Sequence, residues 1–132
     1  MRTIRFFGAS TVLLAVALMI GCTTADLYPV PGPVGIDWCR LDPETGGLLV
    51  EVRNNGPLDA AESTAGVEFV GLYGVAFFVS AIPAGTSTML GPLSIPPSCF
   101  NPDCDFRITV DVLNDILESN ETNNIADGLC LG

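Results

Sequence analysis

Fourteen consecutive residues, DVLNDILESNETNN from Asp111 to Asn124, include eight that are Asp, Glu or Asn. Calcium takes roughly six to eight oxygen ligands from carboxylates, amide carbonyls and backbone. Asp111, Asp115, Glu118 and Glu121 are therefore the candidate calcium ligands, with Asn114, Asn120 and Asn123 beside them. The spacing lacks the D-x-[DN]-x-[DN]-G core of an EF-hand. The same residue types also close turns, because Asn and Asp side chains bond the local backbone and Asn tolerates positive φ. The stretch reads first as a turn signature and second as a calcium site.

Other chemistry is scarce. The chain has no His and no Lys, so neither a Ser–His or Cys–His nucleophile pair nor a lysine Schiff base can be built. No glycine loop of the phosphate-cradling kind occurs. A hydrolase would have to work with carboxylates alone, and scattered surface acids are more often solubilising than catalytic. No catalytic residue is assigned, and the expected protein is not an enzyme. The sequon Asn120-Glu121-Thr122 reads as incidental in an exported bacterial chain.

Five cysteines remain to be placed. Cys22 ends the stretch LMIGC, which resembles the lipobox of bacterial lipoproteins. Before it come Arg2, Arg5 and the apolar run TVLLAVALMI, the layout of an export signal. The expected organisation is a signal peptide over 1–21, acylated Cys22 with a Pro-rich stalk over 22–34, and a domain over 35–132. A plain secretory signal cut near Ala25, or an uncleaved anchor, is the alternative. Thr23 after the cysteine favours the outer membrane or cell surface where two membranes exist.

Cys39, Cys99, Cys104 and Cys130 then form an even set in an oxidising compartment, where three pairings are possible. Cys99–Cys104 closes the turn CFNPDC, and Cys39–Cys130 ties the first part of the domain to the last. These are the favoured pairs. Zinc is disfavoured, because the spacing has no paired C-x-x-C.

A chain cut before Cys22 keeps three Arg (Arg40, Arg53, Arg107) against all fifteen acidic residues, a net charge of −12. Such a surface repels phosphate backbones and anionic lipid, so nucleic acid is excluded as a partner and membrane contact is through the lipid alone.

The elements that must carry these residues are strands. Gly and Pro total 24 and are spread throughout, which defeats a helical period; only ILESNE could make one turn. IDWC reads as a short strand with Ile36 and Trp38 on one face. GLLVEVRNNG alternates, with Leu48, Val50 and Val52 on one side, and ends in the turn Asn54-Asn55-Gly56-Pro57. AGVEFVGLYGVAFFVS holds one or two strands, interrupted at Gly71 and Gly74. Its Tyr73, Phe77 and Phe78 read as core before they read as a partner surface, although one of the two Phe must face outward. IPAGTSTMLGPLSIPP carries a turn and a strand; DFRITVDV points Phe106, Ile108 and Val110 inward; IADGLCL is the last strand. About seven short strands imply an all-β, antiparallel β-sandwich.

LLVEVRNNGPLDA, IPAGTSTML and FRITVDVLNDILESNETNN together resemble the CARDB domain, the cell-adhesion-related domain of bacteria. Glu118, Asn120, Glu121, Asn123 and Asn124 all fall in place in its final motif. The resemblance implies an immunoglobulin-like seven-stranded sandwich acting as a surface module. The expected function is a non-enzymatic adhesion or binding module that presents loops or a sheet edge to an extracellular or periplasmic protein or glycan. The alternative is a structural or calcium-stabilised envelope component without a dedicated partner. No cofactor is expected apart from calcium.

Overall fold

The computed structural model describes residues 24–32 and 37–132. Seven strands occur there: β1 (Leu27–Val30), β2 (Leu48–Asn54), β3 (Ser63–Phe69), β4 (Gly74–Val79), β5 (Ser87–Leu93), β6 (Cys104–Thr109) and β7 (Ile125–Cys130). They form a three-stranded sheet, β1-β2-β5, and a four-stranded sheet, β4-β3-β6-β7, with every neighbouring pair antiparallel. The chain changes sheet after β2, β4 and β5. One 3₁₀ turn, Pro97–Cys99, is the only helical element among the described residues, and Ile116 to Glu121 makes none.

The core follows from two-residue alternation. Leu27, Leu48, Val50 and Val52 from one sheet meet Ala65, Val67, Phe69, Val79, Phe106 and Ile108 from the other, and Val110 continues the row. This is an all-β, immunoglobulin-like sandwich with the inward set expected for GLLVEVRN and DFRITVDV. AGVEFVGLYGVAFFV is two strands joined by a tight turn: Gly71 sits at φ 78, and the Leu72 N–H bonds the Phe69 carbonyl.

Two expectations are corrected. The Pro-rich segment is not a stalk over its full length, since Leu27–Val30 is β1, pairs with Glu51–Asn54 and buries Leu27 completely. Alternating Leu27 and Pro29 supply buried positions, and an edge strand tolerates the missing N–H of Pro29. The sandwich thus starts ahead of residue 35. The described part of IDWC is not a strand either: Asp37 and Trp38 lie in a turn, Trp38 at φ 60, and its indole Nε1 donates to the Pro29 carbonyl at 3.3 Å. The signal peptide over 1–21, Cys22 and Ile36 lie outside the described residues.

Two disulfides close the domain, Cys39–Cys130 and Cys99–Cys104. The first joins the segment before β2 to the end of β7.

Candidate functional site

The Asp111–Asn124 stretch connects β6 to β7 and is folded by its own acids. Asp111, at φ 50, accepts the Asp115 N–H on Oδ1 at 2.9 Å and the Ile116 N–H on Oδ2 at 3.0 Å. Glu121 accepts the Glu118 N–H on Oε1 at 3.1 Å and the Asn124 amide on Oε2 at 3.4 Å. Asn120 accepts from the Thr122 N–H and hydroxyl. Asn123 donates to Asp26 at 2.9 Å. Asp115 is exposed. Of the four expected calcium ligands, Asp111 and Glu121 accept N–H groups, Glu118 is buried and Asp115 faces solvent. Among the described residues no three acidic, His or Cys side chains are placed to hold a metal ion.

Glu118 is the exception to this satisfaction. It is 6% exposed, and neither carboxyl oxygen completes a hydrogen bond; the side-chain oxygen of buried Asn124 is also unpartnered. Burial pushes the Glu118 carboxyl up to about 7. The Asn124 amide offsets part of that rise, the negative charges of Glu121 and Asp111 add to it, and the nearby Leu27 N–H offsets a little more. Glu118 sits where the loop touches the start of the domain. Ala25 and Glu118 form a parallel bridge, and the Ser119 N–H donates to the Ala25 carbonyl at 3.1 Å.

A sign follows for stability. Unfolded, Glu118 loses its proton above about 4.5; folded, it keeps it to about 7. Its contribution is full below pH 4.5, falls as the pH rises to 7, and stays low above that. Glu118→Gln, neutral throughout, should remove this fall. Urea titrations at pH 4 and 8 should show the variant gaining about 3 kcal/mol on the wild type between the two pH values. Parallel pH curves for both proteins would contradict the assignment.

The other feature is an edge. Pairing exposes four strand edges, and three are blunted. β1 carries Pro29. β5 carries Gly91-Pro92 and a register shift against β2. β7 carries Asp127 and gives its Leu129 N–H to the Asp37 carbonyl. Proline, bulges and charge are the usual protections of an edge. β4, GVAFFV, has no proline and no charge, and among the described residues no backbone group bonds its outer side.

The hairpin fixes which β4 groups are free. The Phe69 N–H bonds the Tyr73 carbonyl, and the register pairs Glu68 with Gly74 and Val67 with Val75. Antiparallel alternation then directs Val75, Phe77 and Val79 backbone groups toward β3, and those of Gly74, Ala76 and Phe78 outward. Phe78 is 62% exposed, while Phe77 packs against the core. One Phe inward and one outward is what the alternation required. Beside the edge lies a shallow trough of about 250 Å³, floored by Gly66, Gly74 and Ala76 and bordered by Glu68, Arg107 and Val112. Arg107 is held by Asp127 through two bonds of 2.7 and 3.2 Å, which keeps the Asp127 carboxyl below the usual range.

Sequence reasoning missed two residues and one strand edge. Asn54, read as part of a turn, is a fully buried side chain. Glu118, read as a ligand, is a buried carboxyl. The bare edge of β4 was read as core, though the absence of Lys, Glu and Pro from GVAFFV was its visible signal.

The sequence matches the CARDB family over residues 40–127. No curated protein matches it. The fold is similar to that of a domain from a Methanosarcina acetivorans cell surface protein, solved in solution: TM-score 0.65 at 20% identity, covering 83% of this chain and 92% of that one. It is also similar to the CARDB domain of a Pyrococcus furiosus protein, crystallised in complex with di-metal ions. There the TM-score is 0.53 at 22% identity, covering 82% of this chain and 93% of that one. With the match running from Arg40 to Asp127 in β7, the chain belongs to the CARDB family.

Proposed function

We propose that the chain is a non-enzymatic module of the bacterial envelope, anchored through acylated Cys22, that holds an extended segment of a partner protein on the β4 edge. The bare edge carries this reading. Its outward N–H and C=O groups are a template for one more strand, and main-chain bonding supplies affinity without a catalytic group. A glycan would need polar side chains converging on its hydroxyls, whereas the trough is floored by Gly and Ala. The CARDB domain is a non-catalytic family, and the Methanosarcina relative is described as a cell surface protein; both support a surface module.

The test places a photoreactive benzoylphenylalanine at Phe78 in cells producing the full chain, with the same group at exposed Met89 on the opposite sheet as control. A protein adduct from position 78 and none from 89 is the expected result. Equal adducts from both, or none from 78, would end the edge reading.

A second reading, a calcium-stabilised envelope component, is favoured by the unpartnered oxygens of Glu118 and Asn124 and by the di-metal complex of the Pyrococcus relative. Asp111 and Glu121 accept N–H groups there and would join such a site through the remaining lone pairs of their carboxylates. Melts in EDTA and in millimolar calcium decide it: a ligand at a hundredfold excess over its Kd adds about 2.7 kcal/mol. A rise in Tm lost in Glu118→Gln would establish this reading.

A further inference from the structure

We propose that the strand completing β4 is supplied by a second copy of this chain, two β4 strands running antiparallel about a two-fold axis at Ala76. The proposal rests on the reading of β4 as the binding edge and names its occupant.

The argument is self-complementarity. An isologous contact must bring one surface patch against itself. Centred on Ala76, an antiparallel β4 pair sets Ala76 opposite Ala76 and Gly74 opposite Phe78 of the other copy. Gly74, Ala76 and Phe78 are the residues whose backbone groups face outward, so the pair closes about six inter-strand bonds. The Ala76 and Phe78 side chains lie on the outer face of the sheet, where Gly74 leaves its backbone bare. There each exposed Phe78 covers the bare backbone of the other copy's Gly74, the arrangement in which an aromatic ring shields a strand glycine. The trough at Gly66 and Gly74 gives that ring space. No residue of GVAFFV is charged, so no like charges oppose each other across the axis even though the chain is strongly acidic. The product is one continuous eight-stranded sheet with β4 no longer at an edge, and its outer face is covered by the Phe78 ring the fold already exposes.

The experiment is sedimentation equilibrium on residues 24–132, which contain the core of the described residues, with disulfides intact. A dimer is expected at tens of micromolar. Added salt should tighten it, because screening removes the repulsion between two acidic bodies while backbone pairing is unaffected. Ala76→Pro removes an outward N–H without touching the β3–β4 bonds and should give a monomer. Phe78→Lys should weaken association at least tenfold. The Tm of each variant is read alongside, so that a fold defect is recognised. A wild type monomeric to hundreds of micromolar, or a dimer persisting in a folded Ala76→Pro, overturns the proposal. The photo-adduct at position 78 separates the two levels. An adduct to a different protein leaves the edge reading standing and removes the dimer; an adduct to this same chain supports both.

Discussion

Replacing Asn54 with Ala should destabilise the domain by about 3–5 kcal/mol, among the largest effects of any single substitution here. Asn54 is the last residue of β2 and fully buried. Its Oδ1 accepts the Asp26 N–H at 3.1 Å and the Gly56 N–H at 3.0 Å. Its Nδ2 donates to the Leu58 carbonyl at 2.8 Å and the Ile82 carbonyl at 3.0 Å. One amide thus uses two acceptor and two donor positions to join the start of β1, the turn after β2 and the segment before β5. Truncation leaves the Asp26 and Gly56 N–H groups and the Leu58 carbonyl without that partner, while the Ile82 carbonyl keeps the Ala60 N–H. Each buried orphan costs about 1–3 kcal/mol. Gly56 completes the arrangement, because a Cβ there would collide with the Thr24 carbonyl and the Ala25 backbone. Asn54→Asp should be at least as damaging despite its shape, since a carboxylate would face the Leu58 and Ile82 carbonyls. Urea unfolding of the three proteins measures this directly. A loss below 1 kcal/mol for Asn54→Ala would show that water replaces the amide and that the three segments are not tied through it.

The paired substitution Cys39→Ala/Cys130→Ala should cost about 4–5 kcal/mol. The bridge spans 91 residues, whereas Cys99–Cys104 spans 5. Restriction of the unfolded chain grows with the logarithm of the closed loop, so Cys99→Ala/Cys104→Ala should cost only about 2 kcal/mol. Calorimetry of the two double variants tests the ranking. Equal losses would mean that local packing around the buried sulfurs outweighs the loop term. Removing both partners together matters, because Cys104 and Cys130 are cross-strand neighbours and both fully buried. A single substitution would leave a thiol placed to capture the wrong sulfur.

The sandwich was legible where alternation alone decides. Leu48, Val50 and Val52, and Phe106, Ile108 and Val110, announce their inner faces because every second residue is apolar. β1 was not legible: Pro29 and Pro31 read as a stiff spacer, and only tertiary pairing with Glu51–Asn54 makes LYPV a strand. The acidic stretch showed its composition but not its partition. Nothing in ILESNETNN distinguishes Glu118, turned inward against Leu27 and Asn124, from Glu121, turned back on the loop. That difference is set by the bridge to Ala25, far away in sequence. The loneliness of the β4 edge is likewise a property of sheet order, which places β4 outermost because β3 pairs with β6 on its other side.

The long disulfide also sets how the domain bears load. Cys39 follows β1 and Cys130 ends β7, two residues before Gly132. Tension between the two ends of the chain therefore passes from residue 39 directly to residue 130 through the sulfur bridge. Beyond the β1–β2 pairing, the strands from β2 to the end of β7 lie within the loop that the bridge closes and are shielded from that tension. Only β1 lies in the path, held to β2 by four register pairs and by the Ala25–Glu118 bridge. Peeling it would free residues 24 to 39, whose contour is about 50 Å at full extension, and then stop. The module would yield at one defined strand and keep its β4 edge folded while strained.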